Sequence, residues 1–251
     1  MTGKLRIARR IGWFIVELIV VVLNYLFTAA FAPKKSKRLA RAAWLHRASR
    51  RHLKIFGFTA DVAGPVPQSG LLVSNHLSYL DILAIAAVTP AVFVAKSEIR
   101  RWPVFGWCAV LAGTVFVDRT RRTQVGEVNQ EIQNVLAEGV LVVLFPEGMS
   151  SNGRTVLPFK SSLLEPATKL GQPLAIGWIH YKIEDGNASE EVCYWGDHTF
   201  FPHLLNLLGK RNVRATVRFG QFQGHISDRK ELARELHEEI LKLKKENSAG
   251  S

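Results

Sequence analysis

Leu71-Leu72-Val73-Ser74-Asn75-His76-Leu77-Ser78-Tyr79-Leu80-Asp81 is the stretch whose reading decides the fold. A short apolar run ends in Asn75-His76, and a second apolar segment begins at Leu80. That pattern predicts a strand, a turn and the start of a helix. His76 then lies just outside the helix, at the carboxyl end of the strand, where open α/β sheets place their ligands. In a continuous helix of about 3.6 residues per turn, positions five apart point about 140° away from each other. A direct His76–Asp81 contact therefore needs the turn. With it, the carboxylate can fold back onto one imidazole nitrogen and fix the tautomer, leaving the other nitrogen as a base. The same spacing suits a plain capping box, with Ser78 as N-cap, Asp81 three residues on and His76 at the surface. Spacing alone leaves both open.

Working outward, the chain from Phe58 reads as alternating strands and helices. Short, β-branched-rich runs at 71–74, 91–95, 114–117, 141–145, 174–180 and 214–219 predict strands, several continuous enough to be buried on both faces. Helical patterns fall at 80–88, 105–111, 125–138 and 161–170. A charged, amphipathic last helix spans 228–245, with Leu232, Leu236, Ile240 and Leu243 on one stripe. The expected fold is α/β: a single mixed, largely parallel sheet flanked by helices, with an N-terminal membrane-associated helical segment.

At 251 residues the chain can bury one sizeable core. Cys108 and Cys193 have no C-x-x-C spacing and read as reduced thiols. The eight histidines are scattered, and no ligand set for a metal is visible. The formal charge of +12 is more informative once it is located. Residues 1–60 carry 13 Lys/Arg against Glu17 alone, whereas residues 61–251 balance 20 against 20. The excess surrounds an apolar stretch, Ile11 to Ala32, preceded by Arg9-Arg10 and followed by Lys34, Lys35, Lys37 and Arg38. Its 22 residues could reach across a bilayer's hydrocarbon core of about 30 Å, but Glu17 and Asn24 interrupt it. Cations at both ends fit an in-plane or re-entrant helical pair on an anionic leaflet, with the basic stretch Arg41 to Lys54 as its second member. A nucleic-acid-binding arm would explain the charge and leave the apolar stretch without a role. The expected organisation is a membrane-anchoring segment over 1–57, one domain over 58–247 and a tail over 248–251.

Three further stretches sit at predicted strand ends as His76 does. Phe116-Val117-Asp118-Arg119 ends in an acid–base pair and runs on into Arg121-Arg122. Phe145-Pro146-Glu147-Gly148 ends another strand, and Gln172-Pro173-Leu174-Ala175-Ile176 opens one. Singly, these are a solvated charge run and common turns. In this order, with Asn75-His76 and Asp81, they resemble the lysophosphatidate acyltransferase (1-acylglycerol-3-phosphate acyltransferase) family over roughly residues 60–220.

The resemblance implies transfer of an acyl group from acyl-CoA or acyl carrier protein to a lysolipid hydroxyl, with no further cofactor and no metal. His76 would be the general base and Asp81 its orienting partner. Asn75, Glu147, Gly148, Ser150 and Ser151 would line the acceptor site, and Arg119 and Lys96 would meet an anionic group by charge-assisted hydrogen bonds. Backbone N–H groups at the turn would meet the oxyanion. The expected partners are lysophospholipid and acyl-thioester substrates, membrane lipids and acyl carrier protein, and not nucleic acid. The expected location is a membrane surface, on the cytoplasmic face of the inner membrane. The first acceptor implied is 1-acylglycerol-3-phosphate, giving phosphatidic acid. One departure counts against it: relatives that use this acceptor commonly carry Arg two residues after the glycine, and Ser150 stands there. An amino-acid-containing lysolipid would need fewer cations. A thioesterase and a non-enzymatic membrane adaptor are the other readings.

Overall fold

The structure, a computed structural model, describes residues 3–118, 124–169, 173–224 and 228–249. Two helices lead the chain, α1 (Gly3–Tyr25) and α2 (Lys37–Phe56). Then come β1 (Phe58–Ala63), β2 (Leu71–Ser74), α3 (Leu80–Val88), β3 (Val92–Lys96), α4 (Phe105–Ala112), β4 (Val115–Val117), α5 (Gln124–Ala137) and β5 (Val142–Leu144). The rest is α6 (Glu165–Lys169), β6 (Leu174–Ile183), α7 (Ala188–Glu191), α8 (Phe200–Gly209), β7 (Val213–Gln221) and α9 (Arg229–Ala249).

The strands form one sheet in the order β1-β7-β6-β2-β5-β3-β4. From β6 to β4 the neighbours are parallel, while β7 runs antiparallel to β6 and parallel to β1. The sheet is thus mixed and largely parallel, as the sequence pattern implies. Alternate side chains divide the core between its two faces. Leu72, Phe93 and Val143 pack with residues of α2, α3 and α8, whereas Leu71, Val73, Val92 and Val142 pack with α5 and α9. Burial on both faces explains the uninterrupted apolar runs of β2 and β5.

Several elements escape the sequence pattern, among them α7 and α8, where no helix is expected. Only Phe58 of β1 is buried, so the strand carries no alternation to read. The predicted helix over 161–170 divides into a 3₁₀ turn, Ser161–Leu163, and α6, because Pro166 is compatible only with a helix's first turn. At the C-terminus α9 continues to Ala249, past the expected tail boundary at 248.

The segment expected to anchor the chain also divides. α2 buries Trp44, Leu45, Leu53 and Phe56 and packs chiefly on α3, so it is a layer of the domain rather than a surface helix. Its apolar positions recur every three or four residues and make a stripe wide enough to enter the core. α1 keeps the apolar surface: Trp13, Ile15, Ile19 and Leu23 are exposed. By length and composition the helical stretch from Gly3 to Ala30 could cross a bilayer. It is nonetheless tied to the domain. The Trp44 Nε1–H donates to the Val21 carbonyl at 2.9 Å, and the Arg10 guanidinium donates to the carbonyls of Leu208 (2.9 Å) and Lys210 (2.6 Å) at the end of α8. Glu17, the carboxylate that interrupts the apolar stretch, is buried and paired with Arg51 of α2.

Candidate active site

The central strand β2 delivers the loop 75–79 to the carboxyl edge of the sheet, and α3 begins at Leu80. Asp81, fully buried in the first turn of α3, folds back over that loop. Its Oδ2 lies 2.7 Å from His76 Nδ1 and accepts the N–H groups of Leu77 (2.6 Å) and Ser78 (3.0 Å). Its Oδ1 accepts the Tyr181 hydroxyl of β6 at 2.7 Å. Burial first, and then the Asp81 charge and hydrogen bond, hold the Tyr181 phenol far above its ordinary range, so it remains a donor. An ionised carboxylate only accepts, so Nδ1 of His76 carries the proton and Nε2 holds the lone pair. The ring lies on Phe145, with centroids 4.3 Å apart and planes at 17°, and keeps about a fifth of its side-chain surface exposed, at 21 %.

This geometry settles the choice between dyad and capping box. Tyr79, not Ser78, precedes the first helical residue, and the Ser78 hydroxyl is buried without a partner. Only half of a box forms, the acid side chain reaching back to the Ser78 N–H, and the same oxygen holds His76.

The second loop at this edge follows β5. Phe145-Pro146-Glu147-Gly148 closes a turn through Gly148 N–H to Phe145 O at 3.1 Å, and Gly148 adopts φ +80°, where a side chain would be strained. Glu147 is buried, at 2 % exposure, and points inward. Its Oε1 accepts the His76 N–H at 2.8 Å and its Oε2 the Leu157 N–H at 3.0 Å, so it braces the two loops together. Burial raises its pKa to about 7, against the pull of those two N–H donors. Ser151 N–H donates to the His76 carbonyl at 3.0 Å, a further tie between the same loops. The Ser150 hydroxyl donates to the Tyr194 carbonyl, and the Tyr194 N–H donates to Leu77 O at 2.8 Å.

Of the residues picked out by sequence, His76, Asp81, Glu147, Gly148, Ser150 and Ser151 come together. Asn75 does so as a strut: its amide exchanges hydrogen bonds with the N–H and C=O of Ile179 at 2.7 and 3.0 Å, carrying the β2–β6 ladder one residue further. Lys96 ends β3, which is separated from β2 by β5, and its side chain is exposed. Arg119 lies outside the described residues. At this turn the N–H groups of His76, Leu77 and Ser78 are all committed to carboxylates. Tyr181 and Lys244 carried no signal in the sequence. Lys244 reaches from α9 to the carbonyls of Gly153 (3.2 Å) and Arg154, holding the loop that follows Ser151.

Val117, Leu144, Pro146 and Leu163 help to line a cavity of about 230 Å³ that Phe145 also borders. A larger one, about 820 Å³, lies beside β4 among Arg100, Asp118, Glu127 and Glu131 and includes neither His76 nor Asp81 in its lining. The smaller likewise includes neither, but it borders Phe145, on which the His76 ring lies. Among the described residues no group of three His, Cys, Asp or Glu side chains is placed to hold a metal ion.

Comparison with known proteins agrees with this arrangement. The family model described as Acyltransferase matches residues 61–177. The lyso-ornithine lipid O-acyltransferase of Brucella abortus is 35 % identical, over 97 % of this chain and 95 % of its own. The lyso-ornithine lipid O-acyltransferase of Rhizobium meliloti is 33 % identical over 92 % and 84 %. The 1-acyl-sn-glycerol-3-phosphate acyltransferase of Neisseria gonorrhoeae is 38 % identical, over 53 % of this chain and 54 % of its own. In fold, the chain superposes on the 1-acyl-sn-glycerophosphate acyltransferase of Thermotoga maritima with a TM-score of 0.63, at 20 % identity over 96 % of both chains.

Proposed function

The chain belongs to the acyltransferase family that acts on lysolipids, and we propose that its acceptor is an amino-acid-containing lysolipid of the lyso-ornithine type. The observation that carries this reading is Ser150. At the position where the resemblance calls for a phosphate-binding arginine, a hydroxyl is spent on the Tyr194 carbonyl. The relatives aligned over nearly their whole length carry the lyso-ornithine name, which supports the same choice. A second reading, 1-acylglycerol-3-phosphate, is favoured by the Neisseria relative, which aligns over about half of each chain.

His76 Nε2 takes the proton of the acceptor hydroxyl as its oxygen attacks the thioester carbonyl. The C–S bond then breaks, and the thiolate leaves with the proton carried by His76. Asp81 holds the tautomer and stabilises the imidazolium between the two steps. Glu147 and Asn75 position the loop, while Gly148, Ser150 and Ser151 border the acceptor's head. The donor is an acyl thioester of coenzyme A or acyl carrier protein, and no cofactor is required. The exposed face of α1 and its basic flanks support a location on an anionic membrane surface, and the use of acyl thioesters favours its cytoplasmic side.

Purified protein should acylate lyso-ornithine lipid with a higher kcat/KM than 1-acylglycerol-3-phosphate, and Ser150→Arg should move the ratio towards the phosphate. A parent enzyme that prefers 1-acylglycerol-3-phosphate would refute the amino-acid acceptor. Labelled thioester released as free acid whether or not a lysolipid is supplied would point instead to a hydrolase.

A further inference from the structure

α4 is built from Phe-Gly-Trp-Cys-Ala-Val-Leu-Ala, without a charged residue, yet only Gly106 and Ala112 of its eight residues are buried. A helix that is apolar all round belongs inside a protein or a membrane, and this one is only partly covered, five of its residues being half-buried and Trp107 exposed. Trp107 is 74 % exposed. The turn that starts it, Trp102-Pro103-Val104, is held in an uncommon shape. Val104 has φ +64° and ψ −56°, and the Phe105 N–H reaches Pro103 O at 2.7 Å, a γ-turn that is strained for a β-branched residue. Gly106 permits it, since a Cβ there would meet the Arg100 carbonyl at 2.4 Å. Arg100 and Arg101, both exposed, immediately precede the turn.

α8 presents a second apolar face alongside. Phe201 and Leu205, four residues apart and so on one side of the helix, are 59 % and 47 % exposed. Phe200 contacts both Trp102 (4.7 Å between centroids) and Phe105 (5.0 Å), and Phe105 stacks on Phe14 of α1 at 6.1 Å. The three elements therefore adjoin. The same aromatic chain continues inward, from Phe200 to Tyr79 at 5.1 Å, three residues beyond His76.

We propose that the Trp102–Trp107 turn and the outer face of α8 form a second membrane-contact patch, which docks the catalytic domain itself on an anionic bilayer beside α1. Tryptophans at a polar–apolar boundary, with arginines next to them, are the composition an anionic lipid interface selects. Trp107, 74 % exposed on an uncharged helix, is a side chain that an aqueous surface does not call for at this place. Docking by three adjoining elements sets the orientation of the domain, with the aromatic path from the bilayer ending at Tyr79 in the loop that carries His76. The proposal rests on the membrane association inferred from α1, and depth measurements separate the two.

Trp107→Cys and Leu205→Cys, each in a Cys108→Ala, Cys193→Ala background of the full chain, would carry a nitroxide. Arg234→Cys on α9, across the sheet, is the reference. On phosphatidylcholine vesicles containing phosphatidylglycerol, the labels at 107 and 205 should gain accessibility to oxygen and lose it to a water-soluble nickel chelate, while the label at 234 stays in water. With native cysteines, Trp107→Ser/Phe201→Ser/Leu205→Ser should lower vesicle partition at high salt roughly tenfold or more. Labels at 107 and 205 as wet as that at 234 on bound enzyme would overturn the patch and leave α1 as the anchor. Shielding from both reagents would mean a protein contact, such as a second copy, and also overturn it. Failure of the full chain to bind vesicles would overturn both readings.

Discussion

Asp81 and Glu147 are both buried carboxylates at the carboxyl edge of the sheet, and each accepts two N–H groups or more from the loops around His76. They differ in what else they hold. Asp81 adds the imidazole Nδ1 and the Tyr181 hydroxyl, whereas the hydrogen bonds found for Glu147 are to backbone alone. In the proposed reaction the first carboxylate governs the protonation state of the base, and the second governs where the base stands. The pKa of Glu147 near 7 reflects that difference, because burial dominates where two N–H donors are the main compensation.

The largest expected effects lie at the dyad. General base catalysis typically contributes about 10²–10⁴-fold, so His76→Ala should lose transfer on that scale with the unfolding temperature little changed. Asp81→Asn should lose nearly as much and also unfold earlier, since an amide NH₂ placed against the N–H groups of Leu77 and Ser78 loses hydrogen bonds that cost about 1–3 kcal/mol each when left unmade. Turnover of His76→Ala within a few-fold of the parent would break the assignment. Equal stability of the two variants would break the claim that Asp81 also holds the loop.

Glu147→Gln tests the other carboxylate. One of its two N–H partners must face the new NH₂ group, and displacement of His76 should lower kcat by about tenfold to a hundredfold without abolishing it. The pH dependence of stability has a definite sign. A carboxyl whose pKa rises from 4.5 to about 7 on folding binds more protons in the folded state. Its contribution is therefore fully present below about pH 4.5 and is lost as pH rises through about 7, amounting to about 3 kcal/mol. Relative to Glu147→Gln, the parent should lose stability between pH 5 and 7.5 in denaturant titrations. A parent that gains stability over that range would show that the N–H donors outweigh burial.

These contrasts also mark what was legible in the residues. β2 and α3 begin and end where the apolar runs do, because a strand buried on both faces and a helix following a short turn leave few alternatives. The spacing of His76 and Asp81, five residues apart across a single turn, allowed a pair and a capping box alike, and only the resemblance favoured the pair. Tyr181 was not readable: it lies 100 residues beyond Asp81 in the chain and reaches it only because β6 neighbours β2 in the sheet. Glu147 was readable as a site residue from its motif, but its inward orientation depends on Leu157, ten residues on, which no spacing rule connects to it. α2 misled by composition, its cations suggesting a surface helix while the stripe of Trp44, Leu45, Leu53 and Phe56 entered the core.

The smallest expected effect refines the comparison furthest. Tyr181→Phe removes one of four hydrogen-bond donors to Asp81 and leaves the His76 contact in place. If Asp81 acts through the tautomer of His76, three remaining donors should still hold the carboxylate in place, and kcat should fall by about tenfold or less. The change should be absent when Tyr181→Phe is made in an Asp81→Asn background, because the hydroxyl then has no carboxylate to support. That non-additivity is the signature of one unit acting on His76. Full additivity of the two losses would mean that Tyr181 serves the packing of β6 alone, and that Asp81 orients the base without it.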